Sequence, residues 1–112
     1  MTVDDPLWTA RALVLHDLAA RGLADAVAVS VLEESVAQRR WWVSQWERGG
    51  EFVAGLIAQD VQDALLDRVG RWPTCQHCDN DEHSLYITPE LGADPHWTCE
   101  QSGAVIARLG QL

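Results

Sequence analysis

Three cysteines and one histidine in the last third of the chain set the tightest limit on what it can fold into. The run Cys75-Gln-His-Cys78 is followed by His83 and, after a gap, by Trp97-Thr-Cys99-Glu-Gln-Ser-Gly103. Every cysteine of the protein lies in these two short segments. Soft thiolates and a neutral imidazole at such spacings suit a tetrahedral zinc site. The segment that carries them is only about forty residues long, too short to build a large core, and a metal supplies the missing stabilisation.

A zinc ribbon takes a pair of ligands from each of two knuckles. Cys75-x-x-Cys78 fits the first, and Cys99-Glu-Gln-Ser102-Gly103 resembles the second, with serine where a fourth cysteine would stand. Neutral serine is a poor zinc ligand, so another residue must complete the shell. His83 is the expected donor, which gives a site of Cys75, Cys78, His83 and Cys99. Its competitors are His77, which more easily points outward between two cysteines, His96, and water. His96 lies three residues before Cys99 on an expected strand, so its side chain leaves the opposite face.

Other chemistries fit these residues less well. A redox-active CxxC lacks a surrounding βαβ pattern, and the local acidity disfavours a thiolate. Inert, partly buried cysteines are the plainest alternative. A zinc-dependent hydrolase would need water in the fourth position and Asp81, Glu82 or Glu100 as a base, yet three thiolates make zinc a weak Lewis acid. The chain has no Gly-rich phosphate loop, no nucleophile motif and no paired acid–base signature.

Upstream, the apolar spacing is helical. Asp5 caps a first helix with Pro6 in its first turn; Leu7, Ala10, Val14, Leu15 and Leu18 form its stripe, and Gly22 ends it. A second helix is expected from near Asp25 to about Arg48, with Val29, Leu32, Val36, Val43 and Trp46 inward and Gly49-Gly50 as the stop. A third spans Glu51 to Val69 and closes at Gly70 before Pro73. Beyond Pro73 the pattern turns to strands at 84–88, 96–99 and 104–109. The expected fold is α+β: a three-helix unit over residues 1–72 and a small three-stranded antiparallel zinc-ribbon-like meander over residues 73–112.

Net charge is −9, and all eight basic residues are arginine. The tail sets Asp79, Asp81, Glu82, Glu90, Asp94 and Glu100 against Arg108 alone. Counterion release rewards cationic surfaces, so nucleic acid is a poor partner and a basic protein a better one. No apolar run approaches the length of a membrane span, and no secretory leader is visible, so a cytoplasmic protein is expected. Asp60, Asp63 and Asp67 share one helix face and read as a solvated stripe. His16 reads as an ordinary helix residue. Trp41, Trp42 and Trp46 cannot all enter one narrow stripe. Packing against the sheet is the expected role for the buried ones, whereas Arg39, Arg40, Trp41 and Trp42 are the candidate protein-contact residues. Burial of this helix between subunits of a homo-oligomer is a further expectation.

The segments Phe52–Asp63, Arg71-Trp-Pro-Thr-Cys75, His83-Ser-Leu85 and Trp97-Thr-Cys99-Glu-Gln-Ser-Gly103-Ala-Val105 resemble a group of small uncharacterised bacterial proteins. In that group a helical segment precedes a Trp-Pro-x-Cys, Trp-x-Cys zinc-ribbon-like tail. The resemblance covers roughly residues 40–112. It implies ligands at Cys75, Cys78, His83 and Cys99, with cysteine at position 78 where the group often has histidine, and it implies no reaction. The reading from sequence is a non-enzymatic zinc-binding adaptor or regulator.

Overall fold

The computed structural model describes residues 5–78 and 83–112. Three helices, α1 (Pro6–Ala20), α2 (Ala26–Gln45) and α3 (Val53–Arg68), precede three strands, β1 (Leu85–Thr88), β2 (His96–Cys99) and β3 (Val105–Arg108). The strands form an open antiparallel sheet in the order β1-β2-β3, so the fold is α+β. No helix among the described residues is long and apolar enough to cross a membrane.

The starts of α1 and α2 follow from their caps. The Asp5 carboxylate accepts from the Leu7 amide at 3.0 Å, with Pro6 at the first helical position. Asp25 accepts from the Ala28 amide at 2.9 Å. Each satisfies a backbone donor that the first helical turn leaves unpaired. Gly22, at φ 68°, then ends α1 in the left-handed region.

The junction of α2 and α3 departs from expectation. Helix α2 ends at Gln45, not near Arg48; Trp46 is extended, and a 3-10 helix covers Glu47–Glu51 before α3 begins at Val53. The cause is the indole pair. Trp42 and Trp46 meet edge to face with ring centroids 5.4 Å apart, and Trp46 also lies against Phe52. Gly49 sits beneath them, where a Cβ would come within 2.5 Å of the Trp42 ring. The buried stripe of α2 is also rotated from the expected one: Ala28, Val31, Leu32, Ser35 and Val36 face inward, and Trp46 is exposed.

None of the Trp41, Trp42 and Trp46 side chains packs on the sheet, because α2 does not reach it. The tryptophans of the core are Trp72 and Trp97, T-shaped with centroids 5.3 Å apart. They belong to one apolar cluster that runs from Leu7, Val14 and Leu18 through Ile57, Val61 and Leu65 to Leu85, Ile87 and Leu109. Helix α3 approaches β1 closely. Gly55 permits this, since a Cβ there would stand 3.0 Å from the Glu90 carbonyl oxygen. The Gln62 amide donates to the Leu85 carbonyl.

Helix α1 is hydrogen-bonded to the sheet through the Asp17 side chain. Asp17 is fully buried within the apolar stripe of α1. Its carboxylate accepts from the Trp97 indole at 2.7 Å, the Gly110 amide at 2.7 Å and the Leu112 amide at 3.0 Å. His16 Nδ1 lies 2.9 Å from the same carboxylate. A buried carboxylate survives only where donors replace its water, and here they come from β2 and the segment after β3. Asp17→Ala leaves those donors without an acceptor, each a loss of about 1–3 kcal/mol. We therefore expect a destabilisation of at least about 3 kcal/mol in urea unfolding.

Candidate metal centre

The site is assembled from two backbone features. First, the segment ahead of Cys75 runs antiparallel to the segment that enters β1: Thr74 bridges Ser84, the Cys75 amide donates to the His83 carbonyl at 3.0 Å, and the Leu85 amide donates to the Pro73 carbonyl at 2.8 Å. This bridge brings Cys75 beside His83. Second, β1 pairs with β2 so that Leu85 faces Cys99, which carries Cys99 to the same corner. The chain then turns at once. The Gly103 amide donates to the Cys99 carbonyl, the Cys99 amide donates to the Ala104 carbonyl, and Gly103 takes φ 75°. Arg21 of α1 braces the corner by donating to the Thr74 carbonyl at 3.2 Å.

The result is a cluster of Cys75, Cys78, His83 and Cys99 whose ligand atoms all lie within 4.8 Å of one another, close enough to hold a metal ion. Cys75 Sγ and Cys78 Sγ are each 3.7 Å from Cys99 Sγ, and His83 Nε2 is 3.4 Å from it. Cys75, His83 and Cys99 are buried, and Cys78 is half-buried at the rim. His83 Nδ1 is buried with no hydrogen-bond partner among the described residues. The ring therefore turns Nε2, not Nδ1, to the sulfurs.

Ser102 does not enter the cluster. Its amide donates to Cys99 Sγ at 3.4 Å, and its hydroxyl accepts from the Ala104 amide at 3.2 Å. The serine keeps the knuckle turn and the N–H···S contact without supplying a ligand. These contacts also set the electrostatics. Hydrogen bonding from the Ser102 side chain, then from the Ser102 amide, and after these from the Gln101 amide and His83, brings the Cys99 thiol down to about 5 against the opposing pull of burial. Cys78 is pushed up to about 11, first by its hydrogen bond with Cys99, then by burial and the neighbouring sulfurs. Two sulfurs this close resist joint ionisation, and a cation between them removes the conflict.

The remaining candidates lie elsewhere. His77 is exposed, and His96 lies 3.9 Å from the Asp94 carboxylate, so neither joins the cluster. Asp81 and Glu82, considered as bases, fall outside the described residues; Glu100 is exposed. On the helices, Arg39 is committed to Asp60 by two hydrogen bonds of 2.7 and 2.9 Å, and its charge is further stabilised there. Arg39 also lies over the Trp42 ring at 5.6 Å. Arg40 donates to Asp5 at 3.0 Å, and Trp41 projects into solvent. The four proposed contact residues thus divide into an inner pair, Arg39 and Trp42, and an outer pair, Arg40 and Trp41. Sequence reasoning missed Asp17, although a lone carboxylate at a core position of an apolar stripe was a visible signal.

A family profile described as a domain of unknown function, DUF8819, matches residues 3–109. The chain belongs to the DUF8819 family. The matched span contains all three helices, the sheet and the four clustered ligands, so the DUF8819 domain is both halves of the fold together. No curated protein and no solved structure matches the chain.

The geometry ranks the histidines. His83→Ala removes a donor of the cluster, and we expect metal affinity to fall by more than about 10- to 100-fold, the scale on which losing a partner behind a ligand is felt. His77→Ala and His96→Ala leave it unchanged. Competition titration with a chromophoric chelator measures all three; an equal loss for His77→Ala or His96→Ala would displace His83 from the fourth position.

Proposed function

We propose that this chain is a non-enzymatic zinc-binding protein, an adaptor or regulator whose zinc is structural. The observation that carries the reading is the set of distances between donors. Zinc–sulfur bonds of about 2.3 Å and zinc–nitrogen bonds of about 2.05 Å at tetrahedral angles give S···S edges of about 3.8 Å and S···N edges of about 3.6 Å. The three edges that meet at Cys99 Sγ are 3.7, 3.7 and 3.4 Å, and the other three lie within 4.8 Å. A set of three soft sulfurs and one imidazole favours zinc over hard cations, which take oxygen.

Four protein donors fill a tetrahedron and leave no position for water, which is the arrangement of a structural site and not of a hydrolase. The tautomer with its proton on Nδ1 directs the His83 Nε2 lone pair to the ion. Zinc would join the Cys75–Cys78 turn, the entry to β1 and the end of β2, three segments that share only a short sheet.

The interaction role rests on the surface. The carboxylates of α3 favour a protein partner of basic character over nucleic acid. Asp63 carries the signature of uncompensated charge: burial, then Asp60, Glu90 and Asp67, push its carboxyl above the ordinary value. The outer pair Arg40 and Trp41 provides a second contact surface on the opposite side of α2.

Elemental mass spectrometry on untagged protein tests the zinc reading. We expect one zinc per chain and three thiols that react only after chelation, with a lowered unfolding temperature for the stripped protein. Metal-free protein with freely reactive thiols would overturn it. The sign of the pH dependence follows from the thiols. Cys78 keeps its proton at neutral pH without metal, so loading expels a proton, and zinc affinity rises from about pH 6 to about pH 8.

A further inference from the structure

We infer that a second copy of this chain docks in the groove between Trp8 and Trp41. The groove lies between α1 and α2, has a volume of about 510 Å³, and includes Val36 and Ala37 in its lining. Trp8 and Trp41 line it as well, and they are 61% and 67% exposed. Two indoles left in water on one groove are unlike scattered surface apolar residues, and tryptophan at the centre of a patch is the usual anchor of a protein interface. Trp8 shows no such role in the sequence; only the packing of α1 on α2 brings it to Trp41.

Charge selects the occupant. The chain as a whole carries −9, so most approaches of one copy to another meet like charge. This groove is the exception. Arg11 pairs with Glu33 at 2.5 Å and Arg40 pairs with Asp5 at 3.0 Å, two cations against two carboxylates. Arg11 also lies 5.0 Å from the centroid of the Trp8 ring. Closed pairs give no steering to a strongly acidic partner, and a strongly basic partner is drawn instead to the exposed carboxylates Asp63 and Asp67 of α3. A neutral apolar groove on an acidic chain is where a second copy meets least repulsion. In a two-fold arrangement each copy offers its indoles to the other's groove, and the Arg–carboxylate pairs of the two rims can exchange partners without change of net charge.

Area sets the strength. Each indole leaves roughly 150 Å² in water, so four of them bring about 600 Å² to a dimer, half of the roughly 1,200 Å² at which stable interfaces begin. The rim must supply the rest; an interface this small is of the weak, transient kind, so the dimer is expected at high concentration and lost on dilution. The inference names the partner of the outer contact surface and rests on the interaction reading above, but not on zinc.

Sedimentation equilibrium of the full chain from low to high micromolar concentration tests it, with zinc content measured on the same samples. We expect the mass to rise from 12.4 kDa toward twice that value. Trp41→Ser and Trp8→Ser should weaken association at least about tenfold, with unchanged circular dichroism and metal content. As a second readout, the indole N–H resonances of Trp8 and Trp41 should shift on dilution while those of Trp72 and Trp97 stay fixed. A native chain that remains monomeric throughout overturns the proposal, as does a Trp8→Ser/Trp41→Ser double variant that still dimerises. Dimerisation through these indoles in a chain that holds no zinc would sustain it while removing the zinc reading.

Discussion

The buried carboxylate of Asp17 is the interaction on which the joining of α1 to the sheet depends. Helix α1 does not itself lie against the strands. Asp17 extends from its inner face and takes the Trp97 indole of β2 and two amides that follow β3. An apolar side chain at this position could fill the space but could not choose among registers. A carboxylate accepts only the arrangement that returns its donors, because any other leaves a charge in the core without partners. Here the arrangement fixes the strand that ends in Cys99.

That connection matters because the sheet is small. Its strands are four residues each, with a register shift between Trp97 and Thr98 where β2 meets β3. A sheet of this size has one face to bury and little area with which to do it. Strand β2 is held at two points: the Trp97 indole on Asp17, and Cys99 in the cluster with Cys75, Cys78 and His83. Between them, Thr98 meets Thr88 across the sheet through their hydroxyls at 2.7 Å. Strand β1 is held by α3, through Gln62 and the close approach at Gly55. The cluster is therefore seated on a strand already anchored to the helices. Changes in α1 should be felt at the sulfurs through Trp97.

What the sequence made legible were the features with local causes. Asp5, Pro6, Asp25 and Gly22 mark helix ends because caps and left-handed glycines act within one turn of chain. The three strands stood out because their apolar and β-branched runs are bounded by proline and glycine. Cys75, Cys78, His83 and Cys99 were legible because thiols and imidazoles are scarce and their spacing limits how they can meet. The features that escaped have distant causes. Asp17 looks like an interruption of an apolar stripe until Trp97, eighty residues later, supplies its donor. Trp42 and Trp46 have the spacing of core residues. They instead pack on each other over Gly49, while Trp72 and Trp97 take the core, a choice that rests on which helix faces the sheet. Arg39 looked available for contact until folding brought Asp60 to it from α3.

Serine at position 102 shows how the ligand set and the acidity of the chain are connected. A fourth cysteine there would give a divalent ion four thiolates and leave two negative charges on the site. Three thiolates and a neutral imidazole leave one. In a chain of net charge −9, with buried sulfurs 3.7 Å apart, each further negative charge raises the penalty of burial. With an ion bound, His83 would lower that charge from within the first knuckle's own bridge, where the Cys75 amide already meets its carbonyl. Ser102 then retains the part of the knuckle that carries no charge, the amide donated to Cys99 Sγ and the tight turn to Ala104. The missing cysteine is thus no defect in the pattern. The turn remains at 99–104, and the candidate fourth donor, His83, stands at the entry of β1.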